Sequence, residues 1–337
     1  MKRSLLILVA TAAVWTGCSK TETIDQPQGM AIGFTNAYIG NPVESKAVGI
    51  IEQDSIDEFI VYGGYNDMTH VFDAVSVTED ANTDNWSYTT TRYWVAGKTY
   101  KFAAYAPSGI SGKVEPDFAT GTLNFTDYVS DPSNQYDLIY ATEGKKTAAD
   151  ITSDPGKIQF GFSHLLSMIK FTFNSGFAND IKVTVGNLNV SGMVSQGDYS
   201  GSTGMWTPDS ETVVSTGDAF TGIANNNITT GNTPVSSYDF AVIPQEIADS
   251  TVTVSFDVWV QDNSGNDIIG KKGGAGVNVS ATLPDYKWKK GNRYNYTVTI
   301  KGENVDLFPI EFGTPDVNGI TNDVNFPGSD EVILPTN

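Results

Sequence analysis

Apolar residues recur at every second position along most of this chain, a period that predicts strands. Between Lys157 and Phe173, Ile158, Phe160 and Phe162 alternate with Lys157, Gln159 and Gly161. His164 to Ser167 interrupts the run, and Ile169, Phe171 and Phe173 resume it on a second strand. On a helix, aromatic residues so spaced would circle the axis instead of lining one face. The strictest alternation lies further on, where Val252, Val254, Phe256, Val258 and Val260 interleave with Thr251, Thr253, Ser255, Asp257 and Trp259. Half-buried strands show this pattern, with the valine face inward.

Other segments follow the same rule. Ile32, Phe34 and Tyr38 mark a first strand over Ile32 to Ile39, ended by Gly40-Asn41-Pro42. Ile56 to Tyr65 is a nearly continuous apolar run, which predicts a strand buried on both faces. Trp86, Tyr88 and Trp94 share a parity, Gly97-Lys98 makes a turn, and Tyr100, Phe102 and Ala104 begin the next strand. Ile181 to Val190, Val277 to Leu283 and Tyr294 to Ile300 are further strands. Ser191 to Asn232, rich in Gly, Ser, Thr and Asn, reads as short strands and long surface loops. From Ile32 onward no stretch has the caps and period of an amphipathic helix, so the chain is all-β with turns at sandwich-like spacing.

The N-terminus has a different character. Met1-Lys2-Arg3 is a basic opening, Leu5 to Val14 is apolar, and Thr16-Gly17 precedes Cys18, the single cysteine. This arrangement reads as a lipoprotein signal with lipid attached at Cys18. The competing reading is an ordinary signal peptide with an incidental cysteine, but a lone cysteine in an exported chain has no intramolecular disulfide partner. The apolar run is too short to span a bilayer. Residues 1–17 are then the signal, 18–29 a polar tether, 30–154 and 155–315 two domains divided near Pro155, and 316–337 a tail.

With 337 residues and 39% hydrophobic composition, the chain is long enough for two cores. Its formal charge of −19 excludes nucleic acid and anionic membrane surfaces as natural partners, since phosphate binding needs clustered cations. Removing residues 1–17 takes away Lys2 and Arg3 and no acid, so −19 becomes −21.

Several stretches resemble the fimbrillin family of Bacteroidetes surface proteins. Phe160, Phe162, His164, Leu165, Ser167, Ile169 and Phe171 match the strand that opens that family's C-terminal domain. Trp94 to Pro107 resembles its "W-x-x-G-x-Y-x-F-x-A-Y-x-P", and Asp137-Leu138-Ile139-Tyr140-Ala141 its "D-L-apolar-Y-A". Phe240 to Gln245 and the set Trp288, Gly291, Tyr294 and Tyr296 are similar to two later family motifs. The resemblance implies two tandem transthyretin-like, immunoglobulin-like β-sandwich domains. It implies a structural subunit of a cell-surface pilus, whether stalk, tip or anchor, exported as a lipoprotein to the outer membrane. Its partners would be other pilus subunits, in a homo- or hetero-polymer, the outer membrane through the lipid, and ligands on host or bacterial surfaces. In the family a protease removes the first strand, usually between arginine and alanine, and a strand of another subunit fills the groove, a form of β-augmentation. Here Lys46-Ala47 stands at that place. Val324, Phe326, Val332, Ile333 and Leu334 are candidates for a donor strand beyond an Asp316 to Asp323 linker; the other reading is that the tail packs on its own domain.

Chemistry is thinly represented. The two histidines, His70 and His164, have no neighbour at metal-ligand spacing, and His164 reads as a structural group bonded to a loop backbone. Gly270 to Gly276 lacks the Ser or Thr and the helix of a phosphate loop and reads as a flexible hairpin connection. Asp262 to Asp267 lacks the closing glutamate of a calcium loop and reads as a turn. No catalytic residue, metal or cofactor is expected. Trp259, opposite the valine ladder, is the best exposed aromatic for stacking on a sugar, with packing on the second sheet face as the alternative. It underlies the competing function, a non-polymerising surface lipoprotein that binds glycans.

Overall fold

The computed structural model describes residues 30–320 except 36, 40–55, 66–68, 81–84, 131–136, 147–155, 216–219, 222–226, 229–233, 249–250, 272 and 304–305. Every regular element among the described residues is a β-strand. The all-β expectation therefore holds, and the described residues form two hydrophobic cores.

The first core surrounds one large sheet. Its strands run in the order Tyr38–Ile39, Gly161–His164, Ile139–Lys146, Tyr100–Ala106, Glu58–Tyr65, Thr69–Asp80 and Asn85–Ser87. Glu58–Tyr65 sits in the interior with Phe59 to Gly64 buried, as its unbroken apolar run predicted. On one face Phe59 meets Phe34 at 5.9 Å and Phe162 at 5.7 Å; on the other Tyr62 lies 6.5 Å from Phe118. A second sheet covers that other face, ordered Met205–Pro208, Gln196–Ser200, Thr122–Val129 and Lys113–Asp117. Its Phe125 meets Tyr105 at 5.5 Å and Tyr140 at 5.9 Å.

The second core is a sandwich. In one sheet Ser167–Ser175 runs parallel to Asn292–Ile300; in the other Thr253–Gln261 pairs with Lys182–Ser191 on one edge and with Val277–Thr282 on the opposite edge. Val252, Val254, Phe256, Val258 and Val260 are all fully buried, as the alternation required. Phe256 meets Phe173 of the facing sheet at 4.8 Å.

The cores do not change over at residue 155. Ile158, Phe160 and Phe162 belong to the first core, and Gly161–His164 pairs with Ile139–Lys146. Ile169, Phe171 and Phe173 belong to the second. The stretch expected to open the C-terminal domain thus contributes a strand to each, because alternation shows which side chains turn inward but not which sheet receives them. The Gln196–Ser200 and Met205–Pro208 hairpin, read as part of a loop-rich surface segment, returns to the first core. Gln196–Ser200 pairs with Thr122–Val129, and Tyr199 is buried against Phe125 and Tyr140.

The expected linker also begins as a strand. Asp316–Gly319 pairs antiparallel with the start of Asn292–Ile300, and Ile320 is buried, its amide donating to the Gly291 carbonyl at 3.0 Å. Ile310 and Phe312 pack into the second core, Phe312 lying 5.7 Å from Phe171, whereas Phe308 is exposed.

Candidate functional site

The site with most bearing on function is the seat of the first strand. The alternation at Ile32 and Phe34 sends both side chains inward, where each is 1% exposed, and Ala37 follows them into the core. Phe34 is the hub of an aromatic cluster, with ring centroids 5.4 Å from Phe72, 5.7 Å from Tyr88 and 6.0 Å from Phe160. Edge-to-face and offset contacts of this kind add to the area that the rings bury.

Backbone pairing holds the strand from both sides. Toward one flank the Ile32 amide donates to the Arg92 carbonyl at 2.8 Å, and the Trp94 amide donates to the Met30 carbonyl at 2.9 Å. Toward the other, the Thr35 amide donates to Ile158 at 2.9 Å and the Ile158 amide to Gly33 at 2.8 Å. Tyr38–Ile39 then continues parallel to Gly161–His164. The strand therefore closes the large sheet between the Arg92 to Trp94 segment and Ile158 to Phe162. Without it, both flanks would be open edges with unpaired donors and acceptors.

Tyr88 and Arg92 prepare the flank. The Tyr88 hydroxyl donates to the Ile32 carbonyl at 2.6 Å, and burial holds its pKa above the usual phenol value, with Arg92 opposing the shift. Arg92 Nη1 donates to the Thr90 carbonyl at 2.9 Å, Nε to that of Val71, and the guanidinium lies 4.9 Å from the Phe72 ring centre. These bonds fix the loop whose Arg92 carbonyl receives the strand.

Other singled-out residues fall elsewhere. His164 is buried, but its partner is a carboxylate and not a loop backbone: Nδ1 lies 2.6 Å from Oδ2 of Asp137, itself 2% exposed. Its carbonyl neighbour, that of Leu165, accepts a bond from Trp206 Nε1 at 2.7 Å. Asp262 caps its own turn, accepting from the Asn266 side chain at 2.7 Å and from the amides of Asn266 and Ser264 at 2.8 Å, and these bonds, the Asn266 side chain's first, hold its carboxyl below the usual range. Gly270 to Gly276 is not a hairpin: Asp267–Ile269 and Val277–Thr282 both pair with the same edge of Thr253–Gln261. It is an excursion within one interrupted strand, curled beside Trp259, whose Nε1 donates to the Gly274 carbonyl at 3.2 Å. Among the described residues no group of three or more His, Cys, Asp or Glu is placed to hold a metal. Cys18, Lys46, Ala47, Val324, Phe326, Val332, Ile333 and Leu334 lie outside the described residues.

The sequence reading missed Asp137 as the partner of His164. Both residues lay within motifs it had marked, but nothing local ties a residue to one 27 positions away.

Among the described residues the chain is all-β, and the strand around Ile32 and Phe34 closes the large sheet. The model of the fimbrillin-like family matches residues 42–311, and the chain belongs to that family. Among solved structures it is similar to a fimbrial protein from Bacteroides vulgatus, with a TM-score of 0.57 and 18% identity over 86% of this chain and 99% of that one. It is also similar to a candidate cell adhesion protein from Bacteroides uniformis, at TM-score 0.50 and 20% identity over 87% and 99%. At such identities the likeness shows the fold. No curated protein matches the chain.

Proposed function

We propose that this protein is a subunit of a cell-surface fimbria, exported as a lipoprotein, acylated at Cys18 and assembled by strand exchange. The observation that carries this reading is the seat of the first strand. Backbone bonds on both flanks hold it among the described residues, and the large side chains of Ile32 and Phe34 fill its pockets. Burying one such side chain is worth roughly 1.5–3 kcal/mol, so an incoming strand with matching apolar residues would replace most of what the resident strand supplies. The segment 40–55 joins the strand to the rest of the sheet, and it contains Lys46-Ala47, where a trypsin-like enzyme would separate them. Membership of the fimbrillin-like family and the likeness to a fimbrial protein support the same reading. The tail beyond Ile320 is the proposed donor, through Val324, Phe326 and Val332 to Leu334.

N-terminal sequencing of material sheared from the surface tests it. A start at Ala47 is expected, and assembled fibres whose chains all retain the first strand would overturn maturation at this place. Cys18→Ala should move the protein out of the membrane fraction; unchanged fractionation refutes the anchor. A chain truncated after Gly319 should fail to polymerise, and normal polymers from it would remove the tail as donor.

A further inference from the structure

The outer face of the second core carries a feature that strand exchange does not use. Trp259 projects from Thr253–Gln261 on the side opposite Val258 and Val260, so the hydrophobic core does not account for it. Its indole lies flat among glycines. A Cβ placed on Gly276 would fall 2.8 Å from the ring carbon Cε2, one on Gly186 would fall 3.2 Å from Cζ3, and one on Gly270 would fall 3.1 Å from Cδ1. Gly186 on the flanking strand and Gly270 and Gly276 at the ends of the excursion thus leave room for the ring to lie along the sheet, and the Gly274 carbonyl fixes its direction through Nε1. Gly270 also has a positive φ, a backbone conformation that side chains resist. The ring remains partly exposed.

A polar clamp adjoins the ring. Asp257, two residues earlier on the same face, accepts from Asn187 Nδ2 at 2.7 Å through Oδ2 and from Asn278 Nδ2 at 2.9 Å through Oδ1. Asn187 sits at a register shift, with φ of 51°. Asn187 and Asn278 are exposed, and each amide oxygen can accept a further bond. Each Asp257 oxygen keeps a lone pair after its one bond. Thr253, Ser255 and Ser280 lie beside the clamp, and Lys182 lies further along the same face.

From this arrangement we infer that the sheet face at Trp259, Asp257, Asn187 and Asn278 binds a neutral pyranose glycan. The C–H face of the sugar ring would lie on the indole, and its hydroxyls would donate to the carboxylate and the amide oxygens. A flat aromatic bordered by fixed acceptors suits a ring that is apolar on its face and rich in hydroxyls at its rim. The carboxylate at the centre and the formal charge of −19 disfavour uronate, sulfated or sialylated chains. The site is remote from the first strand, and the inference holds whether or not the chain polymerises.

Native electrophoresis in gels containing, in turn, a neutral β-glucan, mannan or xylan, and alginate as the anionic comparison, tests this. Retardation by at least one neutral polymer and none by alginate is expected. Trp259→Ala should lose that retardation, Trp259→Phe should keep part of it, and Asn278→Ala, at an exposed position outside the core, should weaken it. Tyr93→Ala, which removes an exposed aromatic elsewhere, should leave it intact. Melting curves would confirm that each variant is folded. Absence of retardation in all three neutral gels overturns the inference. So does equal retardation of wild type, Trp259→Ala and Asn278→Ala, loss with Tyr93→Ala, or retardation by alginate alone.

Discussion

The two cores solve the same packing problem with different materials. The second is aliphatic along its Val252 to Val260 ladder, and eight uninterrupted register pairs join Ser167–Ser175 to Asn292–Ile300. The first is aromatic, with Phe34, Phe59, Phe72, Phe102, Phe160 and Phe162 fully buried, and among the described residues its closing strand makes isolated bridges and the two pairs of Tyr38–Ile39. In the second core the backbone ladder and the side chains share the closure. In the first, short backbone pairings on both flanks and the inserted side chains of Ile32, Phe34 and Ala37 share it. Withdrawing a strand from short pairings breaks fewer backbone bonds than withdrawing one from a long ladder.

Four measurements test this contrast. The largest effect is expected from Phe34→Ala, which should destabilise the protein by about 3–5 kcal/mol in chemical denaturation. Hydrogen exchange should show the loss in the first core while Thr253–Gln261 stays protected; equal loss in both would make the molecule one cooperative unit. Next comes Arg293→Ala. Arg293 Nε lies 2.7 Å from Oδ1 of Asp239, whose side chain is fully buried, so the substitution takes the guanidinium away from a buried carboxylate. A cost of about 3 kcal/mol is expected in chemical denaturation.

The third is a pH titration. Burial pushes Tyr105, Tyr140 and Tyr199 up to about 12, and all three rings surround Phe125 in the first core. In the unfolded chain a tyrosine ionises near 10. The folded state therefore holds these protons longer, and the stability they contribute is complete below about pH 10 and falls as pH rises toward 12. Denaturant midpoints should decline across that window, and Tyr140→Phe should flatten the decline. The smallest effect is expected from Tyr88→Phe. Losing its bond to the Ile32 carbonyl should cost about 1 kcal/mol, yet it should speed uptake of a synthetic peptide spanning residues 30–39. A variant that resists the peptide as well as wild type does would show that Tyr88 has no part in retaining the strand.

The sequence made some of this architecture legible. The valine ladder, the doubly buried Ile56 to Tyr65 run and the turn at Asp262 were readable because each is a local pattern with a local cause. The changeover between cores was not, since Phe162 and Phe171 look alike in sequence and differ only in which sheet they join. Nor could the pairing of Gln196–Ser200 with Thr122–Val129 be read, because it joins residues about seventy positions apart and depends on everything between them. At the candidate site, the inward face of Ile32 and Phe34 was legible. The flank at Arg92 to Trp94 was not, as it is irregular chain whose shape is set by the Arg92 hydrogen bonds. The glycine-rich excursion was misread for a related reason: its glycines answer to Trp259, across the sheet.

The sheet shared between the two halves has a mechanical consequence. Its Gln196–Ser200 and Met205–Pro208 strands grow out of the second half as a hairpin, and Gln196–Ser200 is hydrogen-bonded onto Thr122–Val129 of the first. Ser130 reinforces the joint, its amide donating to the Ser195 carbonyl at 2.8 Å and its hydroxyl to Ala241. A swing of one half against the other would have to strip these bonds together, so the joint resists bending as a splint does. In a row of such molecules placed end to end, curvature would arise at the junctions between neighbours, and each molecule would act as a stiff link.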